Sequence, residues 1–211
     1  MDMGRLLNGV LVFCKWITHF AVLNLLWIGC TFLGGIIFGI APSTAAMYAV
    51  SRKASLRGED IPVVKTFWRT YRKEFLRSNA LAFTLIVIGL VWYFDLHFFR
   101  QFEGGIYTVL TYLMMLFGLT YIILLMYILP VFVHYDLKLF QYIKQALLIA
   151  FLHPANLIVM LIGSLSTYYF FISFPGFIPI FGFTIFAHLN MWLAFKCFEN
   201  VENVKLETST A

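Results

Sequence analysis

From Phe20 to Ile40 the chain carries no charged side chain. A helix of about 20 apolar residues crosses a hydrocarbon core roughly 30 Å thick, so this run is long enough to span a bilayer. Tyr107 to Val133 is a second such run. Across the 211 residues, 62% are hydrophobic and 12% charged, against about a quarter charged in soluble globular domains. Phenylalanine alone fills 24 positions. Bulky rings suit lipid contact and amphipathic rings suit the headgroup level. The fold class this predicts is all-α, a polytopic transmembrane helical bundle of about five spans with amphipathic cytoplasmic helices, residues 1–195 forming one transmembrane domain.

The first span is expected at 16–40. Gly34, Gly35 and Gly39 allow close backbone approach near its end, and Pro42 with Ser43 resembles a helix restart leading into a short interfacial helix, Ser43 to Lys53. Residues 51–78 hold eight of the fifteen Lys and Arg residues against three acids, which marks a cytoplasmic segment. Within it Val63, Phe67, Tyr71 and Phe75 recur at i+4 while Lys65, Arg69 and Arg72 occupy another face, the pattern of a basic amphipathic helix on the inner membrane surface or docked to a partner. Further spans are expected at 79–94, 107–133, 157–173 and 177–195. Asp95, His97, Arg100 and Glu103 mark an outer loop, and a second amphipathic segment is expected at 136–151 with Phe140, Ile143 and Leu147 on one face. Residues 196–211 form a polar tail. The first apolar run is interrupted by Lys15, His19 and Asn24 and lacks a cleavage site, so it is expected to be retained. Five spans place the N-terminus outside and the C-terminus in the cytoplasm. The glycine-rich run leaves a second construction open, a hairpin within 1–53 that puts the N-terminus inside.

The blocks "LNLLWIGCTFLGGIIFGIAPSTAAMYAVSRK", "RGED" and "FWRTYRKEFLRSNAL" are similar to those of the YesL family of bacterial membrane proteins. The specific part runs from Asn24 through Pro42 and from Thr44 to Glu59; the later spans match in hydropathy. The family has no assigned molecular role, so the resemblance implies no catalytic residues. It does imply a setting, the cytoplasmic membrane of Gram-positive bacteria, where such proteins are encoded beside carbohydrate ABC uptake systems and glycan-degrading enzymes.

The residues themselves carry little chemistry. The net charge of +5 lies in one loop beside apolar runs, without zinc spacing or an RNA-binding signature, so anionic inner-leaflet lipid and not nucleic acid is the expected counterpart. Cys14, Cys30 and Cys197 are too scattered for a disulfide framework. Asp95 with His97, and His134 with Asp136, lie at span ends where water solvates them. Ser43 beside Thr44, and Ser164 near Ser166, have no neighbouring base, and no P-loop or dinucleotide fingerprint is present. No catalytic residue, cofactor or metal is expected, and the protein is expected not to be an enzyme. Polar groups inside a membrane are costly and hence candidates by default; here they are His19, Asn24, His188 and Asn190, with interhelical hydrogen bonding as their simplest role. Candidate partner or lipid contacts are Lys65, Trp68, Arg69, Arg72 and Lys73. Glu59 joins them as a candidate contact to a basic patch, and Asp60 as a helix cap. The function expected is an accessory membrane protein binding another complex, such as the permease of a carbohydrate ABC importer. The alternative is a small solute transporter or lipid-binding protein with His19, Asn24 and the Gly34–Gly39 break lining a cavity.

Overall fold

The computed structural model describes residues 2–57 and 61–210, with side chains described over 7–56, 61–179 and 181–198. All secondary structure among the described residues is helical: α1 (Asp2–Leu33), α2 (Ile37–Arg57), α3 (Val63–Phe99), α4 (Gly105–His134), α5 (Leu139–Leu152), α6 (Pro154–Ser173), a 3-10 turn (Pro175–Phe177) and α7 (Ile178–Thr210). Among the described residues four helices are long and apolar enough to cross a membrane, namely α1 over Leu7–Leu33, α3, α4 and α6. The expected fifth span, 177–195, covers the last residue of the 3-10 turn and the first part of α7, which packs against α1, α2 and α6.

The first expected span is corrected. In place of one crossing at 16–40 the chain makes a helical hairpin. Gly35 has φ +72°, and its N–H donates to the Phe32 carbonyl (3.0 Å) while that of Ile36 donates to Thr31 (2.9 Å). This pair of bonds is the Schellman motif, which satisfies the last carbonyls of a helix and needs a left-handed residue where glycine fits best. Gly39 then lies so close to the Thr31 backbone, and Gly34 to Gly39, that neither has room for a Cβ. The indole N–H of Trp27 donates to Thr44 Oγ1 at 3.0 Å, a contact only antiparallel helices can make.

The segment Ser43–Lys53, expected at the interface, is instead the centre of the bundle. Within α2, Ser43, Ala45, Ala46, Met47, Val50 and Ser51 are fully buried, and α1, α3, α4 and α7 all pack on this helix. Small side chains let neighbouring backbones approach closely. Pro42 sits inside α2 and cannot donate to the carbonyl four residues back, that of Phe38. Asn79 Nδ2 fills the gap, donating to the Phe38 oxygen at 3.0 Å, and so joins α3 to α2.

A second correction concerns α3. The amphipathic segment and the span expected at 79–94 form one continuous helix, since no glycine or proline interrupts Val63 to Ile88. At 1.5 Å per residue α3 is about 55 Å long, and its apolar part from Asn79 onward about 31 Å, close to the hydrocarbon thickness. Trp92 Nε1 donates to the Met114 carbonyl (2.7 Å) and Tyr121 OH to that of Leu85 (2.8 Å), fixing α3 antiparallel to α4. The chain then folds back as α5, whose buried face is Tyr142, Ala146, Ile149 and Ala150. Of the face expected from Phe140, Ile143 and Leu147, the last two are half-buried and pack against the core, while Phe140 is 78% exposed. The alanines bring α5 closer to α4 than bulkier residues allow. α6 and α7 form the expected hairpin through Pro175–Phe177, and Trp27 stacks on Phe183 with ring centroids 4.3 Å apart. Gly58, Glu59 and Asp60, with the turn and contact expected there, lie outside the described residues.

Candidate functional site

The first four turns of α3 divide into two faces. Thr66, Phe67, Tyr71 and Ser78 are buried, and Tyr71 OH donates to the Cys30 carbonyl at 3.0 Å. Lys65, Trp68, Arg69, Arg72 and Lys73 are all exposed. Trp68, 41% exposed, stacks on Tyr71 at 5.8 Å, and the Arg72 guanidinium lies 5.2 Å from the Trp68 ring centroid. Such a contact orients a cation without neutralising it. The structure thus gathers five of the six candidate partner contacts on one stripe, the sixth being Glu59.

Beside this stripe stands a charged cluster that the sequence reading does not assemble. Arg77 pairs with Asp136 at 2.8 Å and lies 3.9 Å from Glu74, which also meets Lys73 at 3.3 Å. Arg52 Nη1 donates to the Val133 carbonyl at 3.2 Å, one of the carbonyls left over where α4 ends. These groups, with Lys53, Tyr135 and Tyr142, surround a recess of about 290 Å³. Arg52, Arg77 and Asp136 come from three separate segments, and no spacing in the sequence links them. The expectation that Asp136 is solvated agrees with its 79% side-chain exposure.

The four intramembrane polar candidates divide into two roles. Asn24, 1% exposed, donates to the Pro179 carbonyl (2.5 Å) and its Oδ1 faces Thr184 Oγ1 at 3.4 Å, so it fastens α1 to the start of α7. Asn190 is buried and donates to Phe186 of its own helix at 3.0 Å. His19 and His188 line a cavity of about 670 Å³ between α1, α2 and α7, together with Trp16, Phe20, Ala54 and Trp192. Trp16 and Phe20 meet the His188 ring edge-on at 5.6 and 5.4 Å. The cavity expected from His19, Asn24 and the glycine run is therefore corrected: the glycines close on the hairpin itself and Asn24 serves packing, leaving His19 in a cavity whose far wall is α7.

This arrangement can hold a partner or lipid on a cationic, partly aromatic face, and an apolar group in a cavity. Residues 20–96 match the family described as "Protein of unknown function, DUF624". Three proteins of Bacillus subtilis (strain 168) match over almost their whole lengths. The chain is 40% identical to uncharacterized protein YesV, over 90% of this chain and 91% of that one. It is 35% identical to uncharacterized protein YteU, over 95% and 88%, and 29% identical to uncharacterized protein YesL, over 92% of each. The chain belongs to the YesL family. The resemblance seen in the sequence is thereby sustained along the chain, and not only in the block around Asn24–Glu59. No solved structure matches it.

Proposed function

We propose that this YesL family chain is a non-enzymatic accessory protein of the bacterial cytoplasmic membrane. It docks on a membrane complex, such as the permease of a carbohydrate ABC importer, through the outward stripe of α3. The observation that carries this reading is that Lys65, Trp68, Arg69, Arg72 and Lys73 stand exposed on a helix whose other face is locked to α1 and α2. A rigid, ordered cationic face suits recognition, because little conformational entropy is lost when a partner binds. The genomic setting implied by the family resemblance supports the choice of permease, and the lack of a catalytic spacing in the sequence supports the non-enzymatic part.

The same reading sets the orientation. With the basic segment in the cytoplasm, an antiparallel α1–α2 hairpin brings the N-terminus to that side as well. Arg5 and Lys15 then join the inner side and leave Arg100 the lone Lys or Arg on the outer one, a stronger charge bias than the five-span arrangement gives. α7 runs antiparallel to α1, with Trp27 on Phe183 and Trp16 on His188, which also directs the C-terminus inward. The anionic inner leaflet is the lipid counterpart of the stripe.

Affinity purification of the tagged protein after mild detergent extraction, from cells grown on the glycan that induces its neighbouring genes, tests the docking. A stoichiometric permease is expected with the native chain and at least tenfold less with Lys65, Arg69, Arg72 and Lys73 all changed to Gln. Recovery of the native protein alone under several detergents would overturn the reading.

A further inference from the structure

The cavity between α1, α2 and α7 has walls of two kinds. Its body is apolar and aromatic, from Trp16, Phe20, Ala54, Leu189 and Trp192, with His19 and His188 adding polar edges. Its volume of about 670 Å³ falls within the roughly 300–1,000 Å³ of pockets that enclose a small amphipathic molecule. One lysine reaches the cavity's edge: Lys196, exposed, lies one turn beyond Trp192, and its ammonium is held 3.7 Å from the ring centroid of that wall residue. An apolar slot with a cation at its edge is complementary to a molecule with a hydrocarbon body and an anionic head.

We propose that this cavity binds one anionic phospholipid, an acyl chain lying between Trp16 and Trp192 and the phosphate meeting Lys196. Tryptophan belongs at the depth where chains meet headgroups, and a lysine can rest its stem on apolar surface while its ammonium reaches a phosphate. The site is separate from the α3 stripe, so lipid retention and partner recovery are independent measurements and either can fail without the other.

Native mass spectrometry of the full-length protein, equilibrated in mixed micelles with equal phosphatidylglycerol, phosphatidylethanolamine and phosphatidylcholine, tests it. One phosphatidylglycerol per chain is expected, retained at least tenfold over phosphatidylcholine. Lys196→Gln is expected to lower that retention about fivefold, the effect of roughly one basic residue near an anionic surface. Ala54→Phe, which fills the slot, should abolish it while leaving helicity and elution volume unchanged. Equal retention of all three lipids, preferential retention of oleate added as a free fatty acid, or unchanged phosphatidylglycerol in Lys196→Gln would each overturn the proposal. Should Ala54→Phe fail to fold, the Lys196→Gln comparison decides alone.

Discussion

Pro42 and Asn79 show how one residue's defect becomes another's role. The proline withholds a donor from the Phe38 carbonyl, and the Asn79 amide supplies it from α3 at 3.0 Å. Asn79→Leu keeps the volume and removes the donor, so it is expected to cost about 1–2 kcal/mol and lower the thermal midpoint by several degrees, measured by heating in detergent. Asn24→Leu should cost about as much, because it strips the donor from Pro179 and the acceptor from Thr184. Ile36 works in the other direction. It holds φ +63°, a region that disfavours β-branched side chains by about 1–2 kcal/mol, and half of its surface is exposed, so little packing compensates. Ile36→Gly is expected to raise the midpoint; a lower midpoint would mean that its side chain contributes more than the strain costs. Of these residues the sequence singled out Asn24, Pro42 and the Gly34–Gly39 run. It could not connect Asn79 to Phe38, since that bond depends on two helices being adjacent.

Among the elements, α3 explains where sequence reading divides the chain wrongly. The composition changes at Ser78–Asn79 from basic to apolar, and a change of solvent preference resembles a boundary between two helices. Backbone hydrogen bonding does not respond to that change. With no glycine or proline before Gly89, the helix continues. Spin labels at positions 69 and 90, both exposed, are therefore expected to give a narrow distance distribution, their backbones being about 32 Å apart in a straight helix. A broad or markedly shorter distribution would reveal a hinge at the composition change. The α5 face is met in part, for a different reason. Periodicity of large apolar residues marked Phe140, Ile143 and Leu147, of which the last two pack against the core, but the most buried face includes Ala146 and Ala150, and hydrophobic pattern alone gives small residues too little weight. The candidate stripe was legible because charge and aromatic spacing on one helix survive whatever that helix packs against. The Arg52, Arg77 and Asp136 cluster was not, because it exists only after α2, α3 and the end of α4 meet.

For the whole molecule the decisive element is the turn at Gly34–Ile36, since the proposed orientation of the N-terminus relative to the basic segment rests on it. A single crossing at 16–40 puts the N-terminus and the basic segment on opposite sides; a hairpin puts them together. The Schellman bonds, the contact of Gly39 with Thr31 and the Trp27–Thr44 hydrogen bond all act on that turn, which makes the orientation sensitive to it. In a cysteine-free background, an N-terminal cysteine and Lys65→Cys are expected to resist a membrane-impermeant maleimide in intact cells and to react after permeabilisation, whereas Gln101→Cys, in the α3–α4 connection, reacts in both. Labelling of the N-terminal cysteine in intact cells would restore the single crossing and remove the charge-bias argument for the hairpin. Gly39→Val, which drives a branched side chain into the Thr31 backbone, should separate the two helices. If the hairpin sets the topology, that one change is expected to expose the N-terminal cysteine in a fraction of molecules while position 65, anchored by its own basic segment, stays protected. Movement of both positions together would show instead that the basic segment takes its orientation from the hairpin.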